Sequence, residues 1–113
     1  MRHLPLFMIA MALAGAARAE PTLECPGSSQ IEIGACVTET LRAVDQAVDS
    51  VLGFARAAAQ DMDDTTGRAE TLPALEAAQA AWSAWRDAQC TYVGATYAGG
   101  SGSGIAVTAC RVT

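Results

Sequence analysis

Residues 75–90 read LEAAQAAWSAWRDAQC, and this stretch decides the fold. It contains no glycine or proline, it is rich in strong helix formers, and it holds both tryptophans of the chain, Trp82 and Trp85. Leu75, Ala78, Trp82 and Trp85 recur at helical spacing and Tyr92 extends the stripe, which predicts a helix with its indole face turned inward. Only 5% of the residues are aromatic, so a core is expected where the indoles are. Their burial, at roughly 25 cal/mol per Å² of apolar area, would outweigh that of any other pair of side chains here. On this reading the tryptophan helix is a spine that the other segments cover.

Upstream, Ser28 or Ser29 can cap a helix, and Ser29 with Glu32 three residues later has the capping-box spacing. From there to about Gln60, Val37, Leu41, Val44, Val48, Val51 or Leu52, and Ala55 recur at intervals of three and four. Glu39, Arg42, Gln46, Asp49 and Arg56 fall mostly on the other side, giving a long amphipathic helix weakened by Gly34 and Gly53. Asp61 to Gly67, DMDDTTG, crowds carboxylates where a helix C-terminus disfavours them and is predicted to be the hairpin loop. It lacks the D-x-D-x-D-G spacing and closing glutamate of a calcium loop. Thr71 can cap the second helix, Pro73 fits its first turn, and the helix is predicted to run to about Tyr97.

Downstream, Ala98 to Gly104, AGGSGSG, is the clearest loop signal. With no lysine in the chain it is no phosphate loop. Ile105–Thr113 reads as the start of a third helix or an extended tail, and it stops before a second turn of apolar residues, so the element is expected to continue beyond the given end. The fold class is therefore all-α: an antiparallel hairpin of two long helices with a short third C-terminal element, stapled by disulfides.

At the N-terminus, Met1-Arg2-His3, the apolar run Leu4–Ala16 and Ala17-Arg18-Ala19 follow the grammar of a cleaved secretory signal peptide. The domain organisation expected is residues 1–19 as leader and 20–113 as one domain, periplasmic or secreted, with no membrane insertion after cleavage. Loss of Arg2 and Arg18 leaves five basic against twelve acidic side chains, with no lysine and no histidine. That balance argues against nucleic acid and anionic membranes and suits a cationic partner. It also argues against an enzyme, because the usual general bases and activated nucleophiles are missing. No metal or other cofactor is expected.

Four cysteines in an exported chain imply two disulfides. Two connectivities are plausible. A hairpin turning near residue 63 puts Cys36 level with Cys90, which favours Cys36 with Cys90 and Cys25 with Cys110. The sequential scheme, Cys25 with Cys36 and Cys90 with Cys110, closes shorter loops and is preferred. Arg86 is expected to bond Asp45 across the hairpin, with Asp87 beside it.

The ordered set Cys25, Gln30-Ile31-Glu32, Cys36, Val44-Asp45-x-x-Val48, Gln79-x-x-Trp82-x-x-Trp85-Arg86-Asp87-x-x-Cys90, Gly99-Gly100-Ser101 and Cys110 resembles the LprI-type lysozyme-inhibitor domain of exported bacterial proteins. The W-x-x-x-R-D-x-x-C block is its most specific part. The chain departs from the pattern at Leu52, where tyrosine is usual, at Ile33-Gly34, and after Cys110, where a longer helix is usual. The resemblance implies binding and inhibition of lysozyme in the cell envelope. Gly99, Gly100, Ser101 and Ser103 are then the candidate partner-binding loop, the serines donating to the carboxylates of a lysozyme cleft. The other reading is a structural or adaptor module of the envelope with no lysozyme contact, in which the loop is only a connection.

Overall fold

A computed structural model describes residues 24–113; the predicted leader, residues 1–19, lies outside the described residues. Three helices follow in order, α1 (Gln30–Thr66), α2 (Thr71–Ala95) and α3 (Ser103–Val112), with no strand among the described residues. The two long helices form an antiparallel hairpin, and α3 packs against both of them at its open end.

Helix α1 starts as its sequence predicts. Ser29 Oγ accepts from the Glu32 backbone N–H, and the Glu32 carboxylate accepts from the Ser29 backbone N–H, completing a capping box. Val37, Leu41, Val44, Val48, Leu52, Ala55 and Ala59 form the inward stripe, whereas Val51 is exposed. The helix does not stop at Gln60. It continues through the Asp61–Thr66 segment expected to be a loop and ends only at Gly67, whose φ of 67° favours a residue without a Cβ.

The reason lies in Asp63, whose side chain turns inward and caps the next helix. Its carboxylate accepts from the backbone N–H groups of Thr71 at 2.8 Å, Leu72 at 3.0 Å and Glu70 at 3.3 Å. Negative charge that is unfavourable at the end of α1 is thereby placed at the positive end of α2. Thr71, the cap expected from sequence, is instead the first residue of α2, and the residue before it, Glu70, gives no side-chain cap. The connection is thus only residues 67–70.

These bonds hold the Asp63 carboxyl below its ordinary 3.8, the Leu72 N–H above all, against the opposing effect of burial. Glu32, Glu39 and Glu76 are held below 4.5 by the Ser28 backbone N–H, Arg42 and Arg56 respectively. Each of these groups binds its proton less readily folded than unfolded. Their stabilisation is therefore complete above the unfolded values and is lost as pH falls through the lower folded ones. The melting temperature should be flat near neutrality and fall below about pH 4.5. Asp63→Asn should melt lower at pH 7 and show a shallower acid slope; an unchanged slope would remove Asp63 from this role.

Helix α2 is rotated from the orientation its aromatics suggest. Its buried and half-buried positions are Leu72, Leu75, Gln79, Ser83, Arg86, Cys90, Val93 and Gly94, while Trp82 is 39% and Trp85 62% exposed. Tyr92 is exposed as well. The expectation of an indole spine is wrong, and the cause is covalent and steric. Cys90 must face Cys110, and Gly94 must face α3. Turning α2 by the roughly 100° that separates neighbouring helical positions would bury the indoles and swing both of those residues away.

The tightest packing lies at the open end of the hairpin. Among the described residues Val37 and Cys90 are the two side chains with almost no exposure, and Cys25, bonded to the neighbour of Val37, and Gly94, one turn from Cys90, are buried as well. A Cβ built on Gly94 would lie 2.5 Å from Val107 Cγ2, so that glycine is what lets α3 settle onto α2. Cys25 is bonded to Cys36 and Cys90 to Cys110, with Cα separations of 5.6 and 5.5 Å. This is the preferred sequential pairing, and it leaves no cysteine free.

Candidate partner-binding surface

The Arg86-Asp87 pair ties the three helices together. Arg86 Nη1 lies 3.2 Å from Asp45 Oδ1 on α1, the interhelical bond expected from sequence. Asp87, the next residue, faces the other way round α2 and pairs with Arg111 on α3 at 3.3 Å. One turn on, Cys90 makes the covalent link to the same helix. Trp82 lies beneath the Arg86 guanidinium, 4.7 Å from ring centroid to Cζ. So Trp82 is a half-exposed platform for a cation, and Trp85 is not engaged in the core at all.

Arg86 is the more buried partner, its side chain 19% exposed against 46% for Asp45. Arg86→Ala should lower stability by about 1–2 kcal/mol, between an exposed pair and a fully buried one, with the lost stacking on Trp82 included. Chemical denaturation of the variant measures it. An unchanged midpoint would show that the pair contributes nothing.

The predicted binding loop is divided by the structure. Residues 96–102 form the turn between α2 and α3, with Ala98 and Gly99 at positive φ. Gly99 and Gly100 are exposed, and Ser101 lies on the surface where its Oγ accepts from Gln30 Nε2 at 3.1 Å. Among the described residues the Ser101 hydroxyl proton meets no acceptor. Ser103, by contrast, is the first residue of α3, and its hydroxyl donates to the Gly94 carbonyl at 3.0 Å. Ser103 is a fastener of the helix junction and does not belong with the exposed loop.

Sequence reasoning gave no role to the residues beside Ser101. Gln30 and Ile31 on α1 and Ile105 on α3 line a shallow groove of about 340 Å³ next to it. Ile31 is 84% exposed, and an isoleucine inside the capping box, between Ser29 and Glu32, was the available signal. A Cβ added at Gly34 would sit at ordinary contact distance, 3.5 Å, from Ile105 Cγ1, so the approach of Ile105 does not depend on that glycine.

The charge is arranged unevenly. Each of the five arginines among the described residues is paired: Arg42 with Glu39, Arg56 with Glu76, Arg68 with Glu70, Arg86 with Asp45 and Arg111 with Asp87. Asp49, Asp61 and Asp64 make no ion pair among these residues. Residues 24–38 and 91–110, which build the open end, contain Glu24 and Glu32 and no cation. The Asp61–Asp64 cluster sits at the opposite end of α1, roughly 50 Å from Ser101 at 1.5 Å rise per residue. Among the described residues no group of acidic, histidine or cysteine side chains has the geometry to hold a metal ion.

The family model for the lysozyme inhibitor LprI matches residues 24–113, which takes in all three helices and both disulfides. The chain belongs to the LprI family. Its family block has a structural meaning here: the tryptophan supports the arginine, the arginine reaches α1, the aspartate reaches α3, and the cysteine locks α3 in place. An uncharacterised protein of Rhizobium meliloti is 33% identical over 113 residues, covering 95% of this chain and 80% of that protein. No solved structure matches the chain. The two disulfides of this LprI protein suit an extracytoplasmic compartment, and no helix among the described residues is long and apolar enough to cross a membrane.

Proposed function

We propose that the chain is an exported periplasmic or secreted inhibitor that binds lysozyme through the open end of the hairpin, with residues 1–19 removed on export. The observation that carries this reading is the family match over residues 24–113. The charge supports it: lysozymes are usually strongly cationic, and every described arginine of this chain is already paired, so nothing opposes an approaching cation. The exposed Gly99-Gly100-Ser101 turn is the contact. Its glycines permit close approach, and Ser101, which accepts from Gln30, has its own proton to donate to a cleft carboxylate. The protein acts by occupying the cleft, without turnover and without a cofactor.

The test is the rate at which a c-type lysozyme clears a cell-wall substrate with and without the purified chain. Inhibition is expected at low ionic strength, weakening as salt screens the attraction. Ser101→Ala should weaken it roughly tenfold, the worth of a hydrogen bond to a charged group, with only a small change in melting temperature, because the Gln30 bond it also removes is exposed. Full lytic activity at low salt with excess chain would reject the proposal and favour an envelope adaptor without lysozyme contact.

A further inference from the structure

The part of the hairpin nearest the turn is only two helices thick. Helix α3 lies on the edge of α2 that carries Asp87, and Glu76, eleven residues or three turns earlier, is on that same edge, where it pairs with Arg56. On the opposite edge helical periodicity brings up Ala47, Val51, Phe54 and Ala58 of α1 and Ala78, Trp82 and Trp85 of α2. All seven are exposed, Phe54 at 79%, Val51 at 67% and Trp85 at 62%. Asp49 and Arg56 belong to the other edge, so this face is uncharged over about three turns of α1. The one charge beside it on α2, the Arg86 guanidinium on Trp82, is 19% exposed and neutralised by Asp45. Of the apolar side chains that the two helices turn towards each other there, only Ala59 is fully buried. The segment presents the sequence of a core without a layer to close it.

We propose that this face is closed by a second copy of the chain, two hairpins stacking into a four-helix bundle. Charge selects the occupant. A strongly cationic protein finds no carboxylate between Ala47 and Ala58 on this face, whereas two acidic copies can approach each other closely only through an uncharged surface. The arrangement is self-complementary, as a two-fold dimer requires, because each copy offers aliphatic and Phe54 surface on one helix and indoles on the other. The exposed aromatic and aliphatic side chains amount to on the order of 500 Å² per copy. Adding the intervening alanines approaches the ~800 Å² per partner of a standard interface, and the patch is larger than monomeric proteins usually leave bare. Antiparallel hairpins packing face to face form an established bundle architecture.

The experiment is sedimentation of the oxidised chain over a concentration series at low and high salt, beside the variant Phe54→Ser, Trp85→Ser. The wild type should reach the dimer mass with rising concentration, and more readily in high salt, because like charges are screened. That salt dependence is opposite to the one expected for lysozyme, so either idea can fail alone. The variant should keep its helical spectrum and associate roughly a hundredfold or more weaker, as truncation of two central aromatics implies. A wild type that stays monomeric throughout overturns the proposal, as does a dimer that survives both substitutions. Wild-type monomer whose binding to lysozyme or to lipid vesicles is abolished by the two substitutions would assign the face to that partner instead, and would equally overturn it.

Discussion

Removing the Cys90–Cys110 disulfide, by replacing both cysteines with alanine, should lower the stability of the domain by about 3 kcal/mol from loop closure alone. The bridge closes a separation of 20 residues containing the α2–α3 turn, and it joins a 25-residue helix to one of only 10 residues. A 10-residue helix is too short to persist alone in water, so α3 depends on being held against its neighbours. Cys90 is also one of the two most buried side chains of the described chain. Loss of the bridge should therefore free α3, expose Val37 and Gly94, and remove helical signal equal to about one short helix. The Cys25–Cys36 bridge closes a separation of 11 and anchors only the lead-in to α1. Its removal should cost about 0.5 kcal/mol less from loop length and leave α3 in place. Urea denaturation and far-ultraviolet dichroism of the two double variants distinguish them. Equal losses of helix in both would show that α3 is held by something other than Cys90.

Alanine at Gly94 and alanine at Gly53 should move stability in opposite directions. Both glycines lie inside helices, where each costs roughly 0.5–1 kcal/mol relative to alanine. Around Gly53 a Cβ would meet nothing within 4 Å, so Gly53→Ala should gain about that amount. At Gly94 the added methyl would overlap Val107, and relief requires forcing the stiff Val107 side chain out of its rotamer or moving α3, which the Cys90–Cys110 bridge resists. The overpacking penalty of about 1–3 kcal/mol outweighs the propensity gain, and Gly94→Val should be worse than Gly94→Ala. Melting curves of the three variants suffice. A stabilised Gly94→Ala would mean that α3 does not sit where it is described.

The periodicity of α1, the capping box at Ser29 and the glycine-rich turn before α3 were legible because each is a local signal. Residues within a few positions of one another determine them. The Arg86–Asp45 bond followed from the hairpin, whereas the sequential disulfides were the preferred of two pairings, on loop length and against the hairpin register. Two features were not legible. Asp61–Thr66 reads as a loop because crowded carboxylates at a helix end are unfavourable, and the compensation is a cap supplied to another helix, by Asp63 across the turn. The rotation of α2 was misread for a related reason. Hydrophobic weight favours turning Trp82 and Trp85 inward, and the outcome is decided by Cys90, Arg86, Asp87 and Gly94, whose partners lie on other helices. In the candidate site, Ser101 and Ser103 look equivalent in sequence. Only the point at which α3 begins separates an exposed hydroxyl from one consumed at the junction.

The helix junction, where α3 clamps the open end of the hairpin, is the centre on which the stability and the presentation of the Ser101 turn both depend. Native-state hydrogen exchange of the oxidised chain, read amide by amide, tests this most directly. The slowest amides should cluster around Val37 and around Cys90, Val93 and Gly94, with those near Trp82 and Trp85 exchanging faster. Greatest protection centred on Trp82 and Trp85, with the Cys90–Gly94 turn exchanging early, would contradict the account.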